Sequence, residues 1–181
     1  MNDNAIILPQ PGALLVAHPL MGDPNFARTV VLLIAHDDDE GSMGVVINRA
    51  DIEPMHDHDS PVQRWIHSSA PPYATFVGGP VEPFGYMCLH ADNSTTSGVR
   101  SLDIVSDVPT GHGTHRVFRG YSGWAPQQLR DEINEGGWFV VPSRAGDAFD
   151  NDPSSLWVRV LRRQMGDLRR VANFPPDPTL N

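Results

Sequence analysis

The stretch Thr29-Val-Val-Leu-Leu-Ile-Ala35 decides the fold, because its β-branched and aliphatic residues are typical of a buried strand. It is followed by a polar turn, Asp37-Asp-Asp-Glu-Gly-Ser42, and by a second β-prone run, Met43-Gly-Val-Val-Ile-Asn48. The two runs and the turn predict a β-hairpin. We interpret the acidic residues as an exposed turn, since they lack the alternating ligands and closing glutamate of a calcium loop.

Short strands are predicted on both sides of this hairpin. Each run is apolar or β-prone and is bounded by Gly, Pro or Asn: Ala13–His18, Ala74–Gly78, Gly85–His90, Leu102–Val105 and Arg116–Arg119. No helical pattern between them is long enough for repeated βαβ crossovers, which disfavours Rossmann and TIM-barrel architectures. An acidic excursion over residues 50–60 precedes Pro61, which is expected to open a short helix.

Two further helices are predicted in the last third of the chain. The first begins at Pro126, carries Leu129 and Ile133 on one face and ends at Gly136, so that Trp124 can pack on Leu129 as a hydrophobic staple. The second has Asp152 as its N-cap and Pro153 at its first position, and it stops at Gly166. Its polar face carries Arg159, Arg162 and Arg163. After residue 173 the Pro-rich end predicts an extended tail over residues 174–181.

Composition excludes several classes of function. The 181 residues predict one domain, and all 13 basic residues are arginine, which rules out Schiff-base chemistry and a P-loop lysine. The net charge of -9 opposes general binding to polyanions, so nucleic-acid binding is expected to be weak at most. A single cysteine, a non-basic start and the lack of a 20-residue apolar run predict a cytoplasmic protein that does not contact the membrane.

The residues that could carry chemistry lack supporting partners. Gly120-Tyr-Ser-Gly-Trp124 resembles a nucleophile elbow, but Trp124 stands where a second glycine is needed, so we interpret the segment as a turn. Cys88 and His90 would share one face of a strand, and core packing is the preferred interpretation. Gly78-Gly79-Pro80 is interpreted as a turn, because it has too few glycines for a phosphate loop.

No metal and no cofactor are expected. His56 and His58, like His112 and His115, have no third ligand at supporting spacing.

Five ordered motifs resemble the YqgE/AlgH family. They are Gly-Ala-Leu-Leu-Val-Ala-His-Pro at 12–19, Phe-Ala-Arg-Thr-Val-Val-Leu-Leu-Ile-Ala-His at 26–36, Gly-Ser-Met-Gly-Val-Val-Ile-Asn-Arg at 41–49, Val-Gly-Gly-Pro-Val at 77–81 and Gly-Tyr-Ser-Gly-Trp-Ala-Pro-Gln-Gln-Leu at 120–129. The resemblance implies one compact α+β domain over residues 1–173, with coiled or partly barrel-like mixed sheets and a few short helices. It also implies a bacterial cytoplasmic protein.

The resemblance supplies no reaction, so no catalytic residue is carried over. Part of the family is labelled a transcriptional regulator, from a link to alginate synthesis. This sequence departs from the family pattern at residues 21–24, at Ser122 and over Asn93–Gly113.

We therefore predict a regulatory or interaction protein without catalysis of its own, whose partner is a protein or a small molecule. One alternative is a DNA-binding transcriptional regulator, for which the arginine face of the last helix is the sequence evidence. The other alternative is an enzyme acting on a small molecule. An unbiased recovery of partners from native cells separates the three.

The predicted binding surface combines strand ends with the start of a helix. Its candidate residues are Asn48, Arg49, Gly79, Tyr121 and Gln128. Arg49 would offer a planar fork to a carboxylate or phosphate, and Tyr121 an aromatic face with a hydroxyl. The alternative is that Arg49 pairs with an acid of the Asp51–Asp59 excursion and that Tyr121 belongs to the core.

Overall fold

The predicted hairpin is confirmed in a computed structural model, which describes residues 7–51 and 60–175. Strand β2, Val30–Asp37, pairs antiparallel with β3, Gly41–Val46, with one irregularity between Leu33 and Ala35. The first four residues of β2 are buried, as expected for a strand that is covered on both faces.

The hairpin lies in the middle of a mixed sheet. The remaining strands of the described residues are β1 (Ala13–Ala17), β4 (Ala50–Asp51), β5 (Thr75–Val77), β6 (Val81–Ala91), β7 (Val99–Leu102), β8 (His115–Trp124) and β9 (Trp138–Pro142). The main path runs β4-β5-β8-β3-β2-β1-β9, and β6 pairs with both β8 and β7. Of these pairings only β5 with β8 is parallel. The sheet curls into a half-barrel, which confirms the α+β class with partly barrel-like sheets.

Strand β8 pairs with three other strands, β3, β5 and β6, along its two edges. On one edge β6 pairs with it from His115 to Tyr121. On the other edge, β5 pairs near Phe118 and β3 pairs from Ser122 to Trp124. The predicted turn at residues 120–124 is therefore wrong: the segment is the second half of β8, and the local glycines allow neighbouring backbones to approach it.

Two other strand predictions need correction. The run Leu102–Val105 was expected to be a strand, but β7 ends at Leu102. The carboxylate of Asp103 accepts hydrogen bonds from the main-chain N–H groups of Val105 and Ser106, which holds the chain in a turn instead. Strand β9, which pairs with β1, was not predicted.

The helices are short. They are α1 (Pro61–Ser68), α2 (Gln128–Asn134), α3 (Leu156–Arg162) and α4 (Asp167–Val171). The expected helix at Pro61 is confirmed and is capped by the Ser60 hydroxyl. None of the helices in the described ranges is long and apolar enough to cross a membrane.

Helices α2 and α3 differ from their predicted bounds. Helix α2 begins two residues after Pro126, because Gln127 has a left-handed φ of 64°. Asp152 is the N-cap residue and Pro153 follows it at the first position, as predicted, but the segment that they open, Pro153–Ser155, is a turn of 3-10 helix. The Asp152 carboxylate accepts from the hydroxyls of Ser154 and Ser155. Helix α3 then ends at Arg162, four residues before Gly166.

Side chains pack on both faces of the sheet. On one face Leu14, Val16 and Val30 contact α3 through Trp157 and Val160. On the other face Trp124 and Leu129 are buried together with Leu15, Ala17, Val31, Leu33 and Trp138, which confirms that Trp124 packs with Leu129. A third cluster buries Trp65 of α1 against Cys88 and Val117.

Two predicted segments fall largely outside the described residues. Of the expected tail, Phe174 and Pro175 are described, and their carbonyl oxygens accept hydrogen bonds from Arg28 at 2.8 and 3.0 Å. Most of the acidic excursion, including His56 and His58, lies in the part that is not described.

Candidate functional site

Two glycines bring the β5–β6 connection against β8. A Cβ on Gly79, whose φ is +155°, would lie 2.3 Å from the carbonyl carbon and oxygen of Tyr121. A Cβ on Gly120, whose φ is +66°, would lie 2.5 Å from the carbonyl oxygen of Gly79. Larger residues are therefore excluded where these two segments cross, and the Gly-Gly-Pro loop is fixed beside Tyr121.

A four-residue bulge interrupts β6 next to this crossing. Val81 pairs with Tyr121 and Tyr86 pairs with Arg119, so residues 82–85 loop out opposite one residue of β8. Arg119 holds the bulge by donating to the carbonyl oxygen of Pro83 at 2.9 Å while it forms an ion pair with Asp51. Phe84 projects from the bulge and is 89% exposed.

A pocket of about 240 Å³ lies beside the bulge. We call it the Tyr121 pocket; it is lined by Met43, Glu82, Gly85, Tyr86, Met87, Gly120 and Tyr121. The two thioethers and the two phenol rings make it mainly apolar, and Glu82 adds one carboxylate. Glu82 has a left-handed φ of 48°, a strained conformation for a non-glycine residue and one that is frequent at functional sites.

Two of the five motifs that carry the family resemblance line this pocket, and a third packs against one of the lining residues. Met43 comes from the motif at 41–49, and Gly120 and Tyr121 come from the motif at 120–129. Gly79, from the motif at 77–81, packs directly on Tyr121. These motifs therefore converge on one place in the fold although they are distant in sequence.

Of the predicted site residues, Tyr121 lines the pocket and Gly79 packs against Tyr121, whereas Asn48 and Arg49 hold loops. The Asn48 amide accepts from the N–H of Val30 at 2.8 Å and donates to the carbonyl oxygen of Arg28 at 3.0 Å. The Arg49 guanidinium donates to main-chain carbonyls of the preceding loop, those of Pro24, Asn25 and Ala27. The Arg49 guanidinium, which was expected to face a ligand, is therefore occupied by hydrogen bonds within the protein.

The structure brings part of the predicted surface together. Main-chain bonds from Val77 to Arg49 and from Val46 to Gly78 place the 46–49 segment beside the Gly79 loop. Gln128 lies near the other end of β3, because its neighbour Gln127 bonds to Asp38 in the hairpin turn. The length of β3, about 20 Å, thus separates Gln128 from Asn48.

Glu82, Phe84 and Tyr86 were missed by sequence reasoning. The sequence Glu82-Pro-Phe-Gly85 carries a turn signal in its Pro and Gly, and that signal could have indicated a bulge. The predicted strand began only at Gly85, after these residues. The convergence of Met43 with Tyr121 depends on the pairing of β3 with β8, which no local pattern indicates.

The nucleophile candidates are engaged in the core. Ser122 is fully buried and donates to the carbonyl oxygen of Gly78 at 3.0 Å. Burial raises the pKa of the Cys88 thiol to about 12, so it carries no thiolate near neutral pH. The two ring nitrogens of His90 contact the Ala91 carbonyl and the Thr114 hydroxyl. Core packing of Cys88 agrees with the preferred interpretation.

Metal-ligating groups do not cluster in the described ranges. Within residues 7–51 and 60–175, no three His, Cys, Asp or Glu side chains are placed to hold a metal ion. His115 lies buried against Trp65, with its Nε2 2.8 Å from the Trp65 carbonyl oxygen.

The arginines near the C-terminus are largely paired with aspartates. Arg159 makes a bidentate contact with Asp150 at 2.6 and 2.8 Å, and Arg163 makes one with Asp147 at 2.6 and 2.7 Å. The basic face expected on α3 is therefore partly neutralised.

Comparison with known proteins gives matches over nearly the whole chain. The AlgH-like family model matches residues 14–169. A UPF0301 protein of Thermobifida fusca is 42% identical over 190 residues, covering 94% of each chain. A UPF0301 protein of Rhodococcus opacus is 36% identical over 188 residues, covering 95% of this chain and 91% of the relative.

Two solved structures share the fold. A crystal structure of a Corynebacterium diphtheriae protein matches with a TM-score of 0.78 at 26% identity, covering 93% of this chain and 94% of that one. The solution structure of the AlgH protein from Pseudomonas aeruginosa matches with a TM-score of 0.60 at 24% identity, covering 86% and 94%. The second comparison supports the fold alone.

Proposed function

Because the chain belongs to the AlgH-like family, for which these comparisons supply no reaction, we propose that it is an interaction protein that binds a partner protein at the Tyr121 pocket. The observation that carries this proposal is the β6 bulge, which presents an 89% exposed Phe84 beside a preformed pocket. Large exposed apolar side chains next to a concave surface are typical of contact sites.

The size of the pocket favours a partner side chain over a substrate. Sites for small molecules usually have volumes of about 300–1,000 Å³, whereas the Tyr121 pocket has about 240 Å³. A pocket of this size suits one long side chain of a protein partner, with Phe84 contacting the surface around it.

The lining favours a basic side chain, arginine or lysine. The aliphatic stem would lie along Met43 and Met87, and the rings of Tyr86 and Tyr121 would offer cation–π contacts. Glu82 would accept from the charged head. The net charge of -9 also favours association with a basic partner, which agrees with a basic side chain in the pocket.

Two alternatives receive less support. Pairing of Arg159 and Arg163 with aspartates weighs against a DNA-binding surface on α3. The raised pKa of Cys88 and the engaged hydroxyl of Ser122 weigh against an enzyme that uses either as a nucleophile. We further propose that the protein is cytoplasmic and that it exerts a regulatory role through its partner.

Methionine-methyl NMR tests the pocket directly. Titration with acetyl-Gly-Arg-Gly-amide should shift the Met43 and Met87 methyl signals, whereas the same peptide with uncharged citrulline should not. Met165, which is 78% exposed and lies elsewhere, is the internal control. Glu82→Gln should weaken the arginine titration at least threefold. Equal shifts with citrulline, or shifts at Met165 alone, would contradict the proposal.

Partner recovery from native cells tests the surface as a whole. Phe84→Ser should abolish recovery of a partner that wild-type protein retains. Val105→Ser, which alters a side chain that is 79% exposed on a different loop, should leave recovery unchanged. Equal recovery by both variants would exclude the bulge as the contact site.

A further inference from the structure

Another pocket lies between the β6–β7 connection and the loop that follows β9. We call it the Arg144 pocket, and its volume is about 450 Å³. This value falls within the range of about 300–1,000 Å³ that is usual for small-molecule sites. The Arg144 pocket and the Tyr121 pocket share no lining residue among those described.

Both ends of the segment in which this sequence departs from the family pattern line the Arg144 pocket. Asn93 begins that segment and Gly113 ends it, and Gly98 between them also belongs to the lining. The N–H of Asp92 donates to the carbonyl oxygen of Gly98 at 2.9 Å, which closes the β6–β7 connection beside the pocket. A part of the chain that the proposed function does not use therefore shapes this pocket.

The floor of the Arg144 pocket is apolar. Leu32, Val99 and Ala148 line it and are buried, and Phe149 lines it and is half-buried. Contact with such a floor stabilises a ligand through the apolar surface that is removed from water. The floor therefore favours a ligand with an apolar body.

Asp147 fixes the loop that forms one side of the pocket. Its carboxylate accepts from the N–H of Arg144 at 2.7 Å and pairs with the Arg163 guanidinium. The N–H of Asp147 donates in turn to the carbonyl oxygen of Arg144 at 3.1 Å. Asp147 is the only acid among the lining residues, so Arg163 neutralises the one negative charge at the pocket.

Two arginines supply positive charge here, although the net charge of the protein is -9. Arg144 is exposed at the rim, and its guanidinium has no hydrogen-bond or ion-pair partner among the described residues. Arg116 is fully buried and donates to the carbonyl oxygen of Ala148, in the floor, at 2.9 Å. Its other acceptors are the main-chain carbonyls of Pro71 and Asp150, so no described carboxylate neutralises it by direct contact. Both charges would attract an anion in the pocket.

From this combination we propose that the Arg144 pocket binds a small organic acid, a single carboxylate on a compact apolar body. The carboxylate would accept two parallel hydrogen bonds from the planar Arg144 guanidinium at the rim. The apolar body would contact Val99 and Phe149 in the floor.

Amide NMR on the full chain tests the inference with hexanoate as the probe. Titration should shift the amide signals of Gly98, Gly113 and Gly146, which line the pocket, with a dissociation constant on the order of 1 mM. Gly166, which does not line the pocket, is the internal control. Hexanamide keeps the apolar body without the charge, and acetate keeps the charge without the body. Each should bind at least fivefold more weakly than hexanoate.

A matched pair of arginine variants tests the carboxylate contact. Arg144→Gln changes an exposed side chain whose guanidinium has no described partner, so the variant should fold, and it should bind hexanoate at least fivefold more weakly. Arg64→Gln, at an exposed arginine on α1, should bind hexanoate as wild type does.

Four results would overturn the inference. They are no shift of the three glycine signals with hexanoate, equal binding of hexanoate and hexanamide, equal binding by Arg144→Gln and wild type, and equal binding of inorganic phosphate. The last result would identify a general anion site that makes no use of the apolar floor. None of these measurements involves the Tyr121 pocket, so the two proposals fail separately.

Discussion

The indole nitrogen of Trp138 lies 2.7 Å from Oε2 of Glu132, so a carboxylate on α2 fixes the first residue of β9. The Trp124 indole donates to the same oxygen at 2.9 Å, and Gln128 donates to the other carboxylate oxygen. Phe26 packs against both indoles, with ring centroids 5.3 and 6.1 Å away. One side chain of α2 thus joins the end of β8 to the start of β9.

Glu132→Ala should destabilise the protein by about 2 kcal/mol, because it leaves two largely buried indole N–H groups without their acceptor. Urea denaturation monitored by tryptophan fluorescence measures the change. Glu135→Ala, three residues further along the chain and exposed, should stay within about 0.5 kcal/mol of wild type. Equal effects of the two variants would mean that the shared carboxylate is not a structural link.

Protein stability should fall as the pH drops below about 6.5, in part because of His115. Burial lowers the pKa of this imidazole, so the unfolded chain takes up a proton more readily than the folded protein does. Nε2 lies 2.8 Å from the Trp65 carbonyl oxygen, and Nδ1 has no partner among the described residues that could accept a hydrogen bond from it once it is protonated. The contribution of neutral His115 to the free energy of unfolding is therefore fully present above the pKa of this histidine in the unfolded chain, and it decreases as the pH falls below that value.

Chemical denaturation at pH 7.5 and pH 5.5 measures this effect. His115→Gln should show a smaller loss between the two pH values than wild type shows. His67→Gln, at an exposed site on α1, should retain the wild-type loss. An unchanged pH dependence in His115→Gln would assign the effect to other groups.

Arg49→Ala should lower stability by about 1–2 kcal/mol, because three loop carbonyls lose their donor. The measurement is again urea denaturation, combined with partner recovery from native cells. A variant that is as stable as wild type but no longer recovers the partner would instead mean that the Arg49 guanidinium contacts the partner. A destabilised variant that retains its partner would exclude Arg49 from the contact surface.

Duplex DNA should bind weakly and without sequence preference, and binding should disappear near physiological salt. The pairing of Arg159 and Arg163 with aspartates leaves few free positive charges on α3. Fluorescence anisotropy at about 20 and 150 mM salt measures binding. The double variant Asp147→Asn and Asp150→Asn frees both arginines and should bind more tightly at low salt. Nanomolar, selective binding by wild type at the higher salt would refute this prediction.

Local patterns were sufficient to predict the hairpin and the helix at Pro61. In the hairpin, Val30–Leu33 is buried as a β-branched run predicts, and the expected glycine, Gly41, directly follows the turn as the first residue of β3. Sequence analysis does not predict β9, since five apolar residues after a helix give no periodicity that separates a strand from a continued core segment. The partner of β9 is β1, more than a hundred residues earlier in the chain.

The candidate site was only partly predictable for a similar reason. Tyr121 and Gly79 were identified from motifs; Tyr121 lines the pocket, and Gly79 packs against Tyr121. Arg49 was expected to face a ligand because it ends a strand, but the carbonyls that it binds belong to a loop whose position local sequence does not give. Glu82 and Tyr86 line one pocket with Met43 only through the pairing of β8 with both β3 and β6.

The pairing of β1 with both β2 and β9 also has a consequence during synthesis. Strand β1 can pair with β2 soon after the ribosome releases the hairpin, but about 120 residues separate it from β9. At roughly 5–20 residues per second, the second edge of β1 waits on the order of 6–24 s for its partner. During that interval an aliphatic strand with unpaired main-chain groups is available to other nascent chains, so the translation rate over residues 18–137 influences the yield of native protein.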